Sequence, residues 1–322
     1  MTPRRASLPI ALLIACLIGP SAMAQRSKTT PPSKPLGTRA MKKLVKEAAT
    51  CPVLHASRCQ ALTAIIGHRE AAGPALISFL RNKSAPLRAV AATGLGAIGY
   101  GPAGKKMLAL MEDRDQAVQH AAIIAVGRLN PSGGVSELAR MAGAADLNRR
   151  VLATTALGLT RQAAAVTPLM RLLRDPHPKV QANAARALGA IGNPRATIAM
   201  ASLLADPVSR IPVRQAVAEA LGRLGDTDGV AILLQATGET EPHVRKAAVV
   251  SLGQVGDPRA VAALSLLVKD PELTEIAIQA IGRIGHVDGL ASLLRIAKEP
   301  GTDPITLQQA FWAIGEIKSE AT

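Results

Sequence analysis

Gly94-Leu95-Gly96-Ala97-Ile98-Gly99 has the spacing of a dinucleotide-binding glycine loop. Such a loop needs a strand before it and a helix after it, so that the start of the helix faces a pyrophosphate. Here the residues before Gly94 carry a helical apolar period, so the motif closes a helix instead of opening one. Overlapping it, Gly99-Tyr100-Gly101-Pro102-Ala103-Gly104-Lys105-Lys106 nearly matches a phosphate-binding loop. Lys106 stands where Ser or Thr would reach magnesium, and an inter-helix turn is the simpler reading.

The remaining chemistry-bearing residues are sparse. The histidines are His55, His68, His120, His177, His243 and His286, with no His-Glu-x-x-His among them. Cys-x-x-Cys and Gly-x-Ser-x-Gly are also missing, so neither common zinc spacing nor a nucleophile elbow is present. No catalytic residue, metal site or cofactor is therefore expected. Cys51 and Cys59 permit three readings: a small disulfide if Cys51 lies in a turn, two free thiols, or metal ligands together with His55. On one continuous helix they would stand about 12 Å apart, too far for a bridge. The disulfide requires Thr50-Cys51-Pro52 to lie between the first two helices, with Cys59 inside the second.

The N-terminus reads as an address. Arg4 and Arg5 precede an apolar run from Pro9 to Ile18, and Ala22-Met23-Ala24 forms a small-residue exit before Gln25. Those are the three parts of a secretory signal over residues 1–24, and the apolar run is too short to span a bilayer. This predicts export to the periplasm or cell envelope. Leu13-Ile14-Ala15-Cys16 is the competing lipobox, which would anchor the chain to a membrane through a lipid on Cys16. Residues 25–38 form a linker rich in Pro, Ser and Thr.

Charge follows this division. The whole chain is +15, yet residues 25–48 hold seven bases against Glu47 alone. That basic stretch is either a solvated spacer or a contact for anionic envelope polymers and head groups.

Four aromatics in 322 residues, Phe79, Tyr100, Phe311 and Trp312, are too few for an ordinary large core. The core must pack with Ala, Leu, Val and Ile, which closely spaced helices can do. One unit then repeats. Gly67, Gly96, Gly127, Gly158, Gly189, Gly222, Gly253, Gly282 and Gly315 follow one another at a mean interval of 31 residues. A fixed period of that size marks a solenoid. In the clearest unit Val244, Ala247, Ala248, Leu252 and Val255 share one helix face, Gly256 stops the helix, Asp257 caps the next, and Pro258 suits its first position. The prediction is an all-α solenoid, a right-handed superhelix of about nine antiparallel helix pairs over residues 39–318, with a tail at 319–322.

The blocks Val213-Arg214…Ala220-Leu221-Gly222-Arg223-Leu224-Gly225-Asp226 and Asn193-Pro194-Arg195-Ala196 resemble the short bacterial HEAT repeats first named from phycobilin lyases. The resemblance implies stacked helix pairs whose second helices line a concave surface. Two enzymes share this class, phycobilin lyases and the di-iron deoxyhypusine hydroxylase. The second uses His-Glu dipeptides, and this chain has none. An exported chain also fits poorly with pigment chemistry inside a cell, so a lyase-like or hydroxylase-like enzyme is the remotest reading.

Function must then lie in exposed rows. Eight residues before the repeat glycine stand Arg88, Arg150, Arg214 and Arg245, read as a structural ladder to neighbouring acids, with Asp113, Asp175, Asp206 and Asp270 as candidates. The registers ten, seven and three before the glycine and one after it fall opposite the apolar face. They hold Arg128, Lys179, Arg186, Arg223, His243, Lys246, Arg283 and Trp312, with Glu219, Glu272 and Glu275 interspersed and Gln308 and Glu316 at the end. This row predicts a non-enzymatic scaffold holding a protein or peptide partner. An anionic polymer, nucleic acid or envelope polysaccharide, is the alternative. Nucleic acid is disfavoured by export and by the lack of aromatic stacking platforms.

Overall fold

The computed structural model describes residues 36–51 and 59–320, all of them helix or connecting turn. The signal-like segment, Cys16 and His55 lie outside the described residues. The helices are α1 (Thr38–Ala48), α2 (Gln60–Gly67), α3 (Gly73–Phe79), α4 (Ala85–Ile98), α5 (Gly104–Leu110), α6 (Gln116–Leu129), α7 (Gly134–Ala142), α8 (Leu147–Leu159) and α9 (Val166–Leu172). They continue as α10 (Pro178–Ile191), α11 (Thr197–Ala205), α12 (Ile211–Leu224), α13 (Val230–Ala236), α14 (Pro242–Val255), α15 (Val261–Leu267), α16 (Thr274–Ile284), α17 (Leu290–Lys298) and α18 (Pro304–Glu320). Among the described residues this makes nine pairs, each closing on its repeat glycine. α18 runs on to Glu320, so the expected tail at 319–322 begins inside a helix.

The described residues fall into two compact units. The first runs to Ala125 and takes in Asp146–Asn148; the second comprises Val126–Ala145 and continues from Arg149.

α10 shows why each second helix forms. Pro178 occupies the first turn, where a missing N–H costs nothing, and His177 Nδ1 accepts from the Lys179 N–H at 3.2 Å. Val180, Ala184 and Leu188 lie fully buried on one face. Removing a leucine side chain such as Leu188 from water contributes roughly 2–3 kcal/mol. Gly192 ends the helix with φ at +74°. The same left-handed stop falls on Asn130 (φ +44°) and Arg161 (φ +51°), where glycine would be expected. Each following outer helix except α7 starts through a 3-10 turn. In the unit singled out from sequence, Asp257 accepts from the Arg259 N–H at 2.8 Å, and the turn Pro258–Ala260 precedes α15.

The repeat glycine is a packing device. A Cβ on Gly158 would lie 2.7 Å from the Ala187 Cβ, and one on Gly253 2.8 Å from the Ala280 Cα. In both cases the contacted residue stands two places before the next repeat glycine. Successive second helices therefore meet backbone to methyl. That close approach is how an aromatic-poor chain fills its interior.

The last such glycine has no such neighbour. A Cβ on Gly315 would meet nothing within 4 Å. Phe311, one turn earlier, is 60% exposed, whereas Val249 and Ile278 at the same register are fully buried.

Candidate functional site

The ladder arginines are tied in two directions. In the first unit Arg88 donates to both Asp113 oxygens, at 2.9 and 2.7 Å, and to the Asn82 and Lys83 carbonyls. In the second unit Arg150 bonds Asp175 and the Ala144 and Ala145 carbonyls. Arg245 pairs with Asp270 and donates to the Thr237 carbonyl. Arg214 pairs with Glu239, which corrects the expectation of Asp206. The acid always follows its arginine by 25 residues, one outer turn further on. Asp206 precedes Arg214 and instead accepts from the Val208 N–H at 2.9 Å. Where the register holds Thr274, its hydroxyl donates to the Val268 and Asp270 carbonyls. This row is internal bracing, and Arg88 and Asp113 are both nearly closed to water.

In the first repeat the ladder register is Cys59, joined to Cys51 by a disulfide with Cα atoms 5.9 Å apart. Cys51 lies in the turn after α1. Cys59 caps the start of α2 from outside, a correction to its expected place within that helix. Among the described residues no three His, Cys, Asp or Glu side chains gather where they would hold a metal ion.

The second row belongs to the second unit. Arg128 closes α6. Lys179 and Arg186 lie on α10, Arg223 on α12, His243 and Lys246 on α14, Arg283 on α16 and Trp312 on α18. α10, α12, α14, α16 and α18 pack consecutively. Arg128, Lys179, Arg223, His243, Arg283 and Trp312 are exposed, while Arg186 and Lys246 are half-buried. Arg223 reaches Glu219 at 3.5 Å, a partly solvated pair of small energetic value. Arg128, Lys179, Arg186, Lys246 and Arg283 have no ion-pair partner among the described residues. The mass of protein around the Arg128 guanidinium, which keeps an exposed surface, lowers its pKa from the ordinary arginine value.

The row is not continuous. At its registers α8 carries Val151 and Thr155, which are 4% and 7% exposed, and Ala182 on α10 is 5% exposed. Glycine-to-alanine stacking draws the helices so close that small side chains at these registers are covered by their neighbours. The usable face therefore runs from α10 to α18.

At the far end the row deepens into a shallow groove lined by Gln279, Arg283, Ile305, Gln308, Gln309 and Trp312. Of these, Arg283, Gln308 and Trp312 belong to the row expected from the sequence. Ile305 stands ten residues before Gly315, within the same register set, and is 59% exposed. The Trp312 ring lies across Gly282, with Cζ3 3.0 Å from the position of a Cβ there. Gln309 donates weakly to Glu275 at 3.5 Å, while its Oε1 is shut off from water with no hydrogen-bond partner.

No helix among the described residues is long and apolar enough to cross a membrane. No curated protein matches the sequence. Solved structures align with the chain. An engineered protein aligns at 20% identity and TM-score 0.46, over 89% of this chain and 92% of its own. The CpcE–CpcF complex of phycocyanin lyase from Nostoc sp. PCC7120 aligns at 23% and 0.45, over 67% and 94%. YibA of Escherichia coli aligns at 17% and 0.54, over 80% and 96%. The family model for HEAT repeats matches residues 73–153, 135–212 and 209–276. The chain is a member of the HEAT-repeat family.

Proposed function

We propose that this chain is a non-enzymatic scaffold of the bacterial cell envelope, exported through residues 1–24, that holds a protein or peptide partner across α10 to α18. The observation that carries the reading is a row of exposed or half-buried bases on α10, α12, α14 and α16, all but Arg223 without an ion-pair partner, ending beside an exposed tryptophan. Cations left unpaired gain most from a partner's carboxylates, and an aromatic at the edge supplies a desolvated anchor. HEAT repeats commonly mediate protein–protein interaction, which agrees with this use of the face.

The test is affinity capture from envelope extracts with the native chain and with an Arg186→Glu/Arg223→Glu/Lys246→Glu variant. The expected result is a protein retained by the native chain and lost with the variant, whose helical circular dichroism is unchanged. Equal retention by both would contradict the assignment. Binding to an anionic polymer is separated by salt. Its affinity would fall steeply between 50 and 200 mM salt, as counterion release requires, while an anchored protein contact would weaken little.

A further inference from the structure

Within the proposed partner face, on which this inference rests, the groove between α16 and α18 differs from the rest. It combines an exposed apolar floor in Ile305 and Trp312, an unpaired guanidinium in Arg283, and a buried acceptor in Gln309 Oε1. The Gln309 oxygen is closed to solvent and so lies beneath the groove floor, out of reach of a ligand in it. The neighbouring carboxylate, Glu275, already takes the Gln309 amide.

The spacing of the bases sets the ligand. Arg283 and Arg223 both stand one residue after their repeat glycine, with Gln254 at the same register on the helix between them. Packed helices lie roughly 8–10 Å apart, and an extended chain advances about 3.3–3.6 Å per residue. One helix is thus crossed in about three residues. Trp312 to Arg283 is one such step, and Arg283 to Arg223 is two.

We infer that the groove recognises an extended acidic segment of a partner protein with a fixed layout. A large aliphatic residue sits on Trp312 and Ile305, a carboxylate about three residues away meets Arg283, and a second carboxylate about six residues further meets Arg223. The carboxylates complement the unpaired Arg283 and the exposed, weakly paired Arg223, and the aliphatic residue covers surface that α18 otherwise leaves wet.

Trp312 is the sole tryptophan of the chain, so its emission reports the groove directly. The probe is a capped 14-residue peptide of Gly, Ser and Asn with Leu at position 2 and Glu at positions 5 and 11, carrying a dye at its far end. Titration should blue-shift and saturate Trp312 emission in step with the dye's anisotropy. Arg283→Glu should weaken binding at least tenfold, and so should moving both Glu residues three positions. Trp312→Ala, with helical circular dichroism checked against the native chain, should remove the contribution of the Leu. Equal binding of the spaced and shifted peptides would overturn the inference. So would anisotropy without a Trp312 response, or no binding of either peptide. If the triple Glu variant still loses a captured protein while these peptides behave alike, only the layout fails. If capture is also indifferent to the variant, the partner face itself fails.

Discussion

Gly189 on α10 and Ala220 on α12 stand so close that a Cβ on the glycine would come within 2.9 Å of the alanine's Cα and carbonyl oxygen. The obstacle is backbone, which cannot rotate away as a side chain can. Yet glycine within a helix is about 1 kcal/mol less favourable than alanine, so its presence there reflects packing.

Gly189→Ala should therefore cost up to about 2 kcal/mol net, because overpacking of about 1–3 kcal/mol matches or exceeds the propensity gain of about 1 kcal/mol. Gly315→Ala, with nothing within 4 Å, should be neutral or stabilising by up to about 1 kcal/mol. Urea midpoints of the two variants check this. Equal shifts of the same sign would refute the stacking role of the glycine.

Arg161 adopts φ +51° at the helix stop that glycine occupies after α10, α12 and α14. Its exposed side chain makes no hydrogen bond or ion pair among the described residues. Arg161→Gly should raise stability by about 0.5–1 kcal/mol by relieving the left-handed penalty. A lower thermal midpoint for this variant would show that the turn draws on the arginine side chain.

The Arg88 guanidinium, bonded to Asp113, holds that carboxyl below its usual pKa, with an Asp115 N–H adding to the effect. The unfolded value is about 3.9, so the stabilisation is fully present above that pH and lost as pH falls through the lower folded value. Arg88→Met should cost about 3 kcal/mol at neutral pH, since it strands a closed-off carboxylate. Arg88→Met combined with Asp113→Leu should recover most of that loss and show a shallower acid decline. Denaturant midpoints from pH 7 to pH 2.5 measure both. A double variant as unstable as the single one would contradict the pairing.

Much of the fold was legible because stacking leaves a periodic trace. A glycine is demanded wherever two helices meet this closely, and Gly96 to Gly282 record it. The ladder was legible in its arginines and less so in its acids. Glu239 was missed because Asp206 lies nearer Arg214 in sequence. The 25-residue offset shared by Arg88–Asp113, Arg150–Asp175 and Arg245–Asp270 would have pointed to it. For the candidate site, residue type was readable and cover was not. Val151, Thr155 and Ala182 sit at exposed registers of a single helix, yet neighbouring helices bury them. Gln309 carries no signal in sequence, because its unpaired oxygen arises only where α18 meets α16.

The most direct test of the partner face is photocrosslinking from single positions in the intact protein. A benzophenone side chain at Arg223, on the proposed face, is compared with one at Ala262, an exposed residue of the outer helix α15. The prediction is a discrete protein adduct from position 223 and none from 262, with the adduct lost when Lys246 and Arg186 are changed to Glu. Equal adducts from both positions, or an adduct from 262 alone, would contradict it.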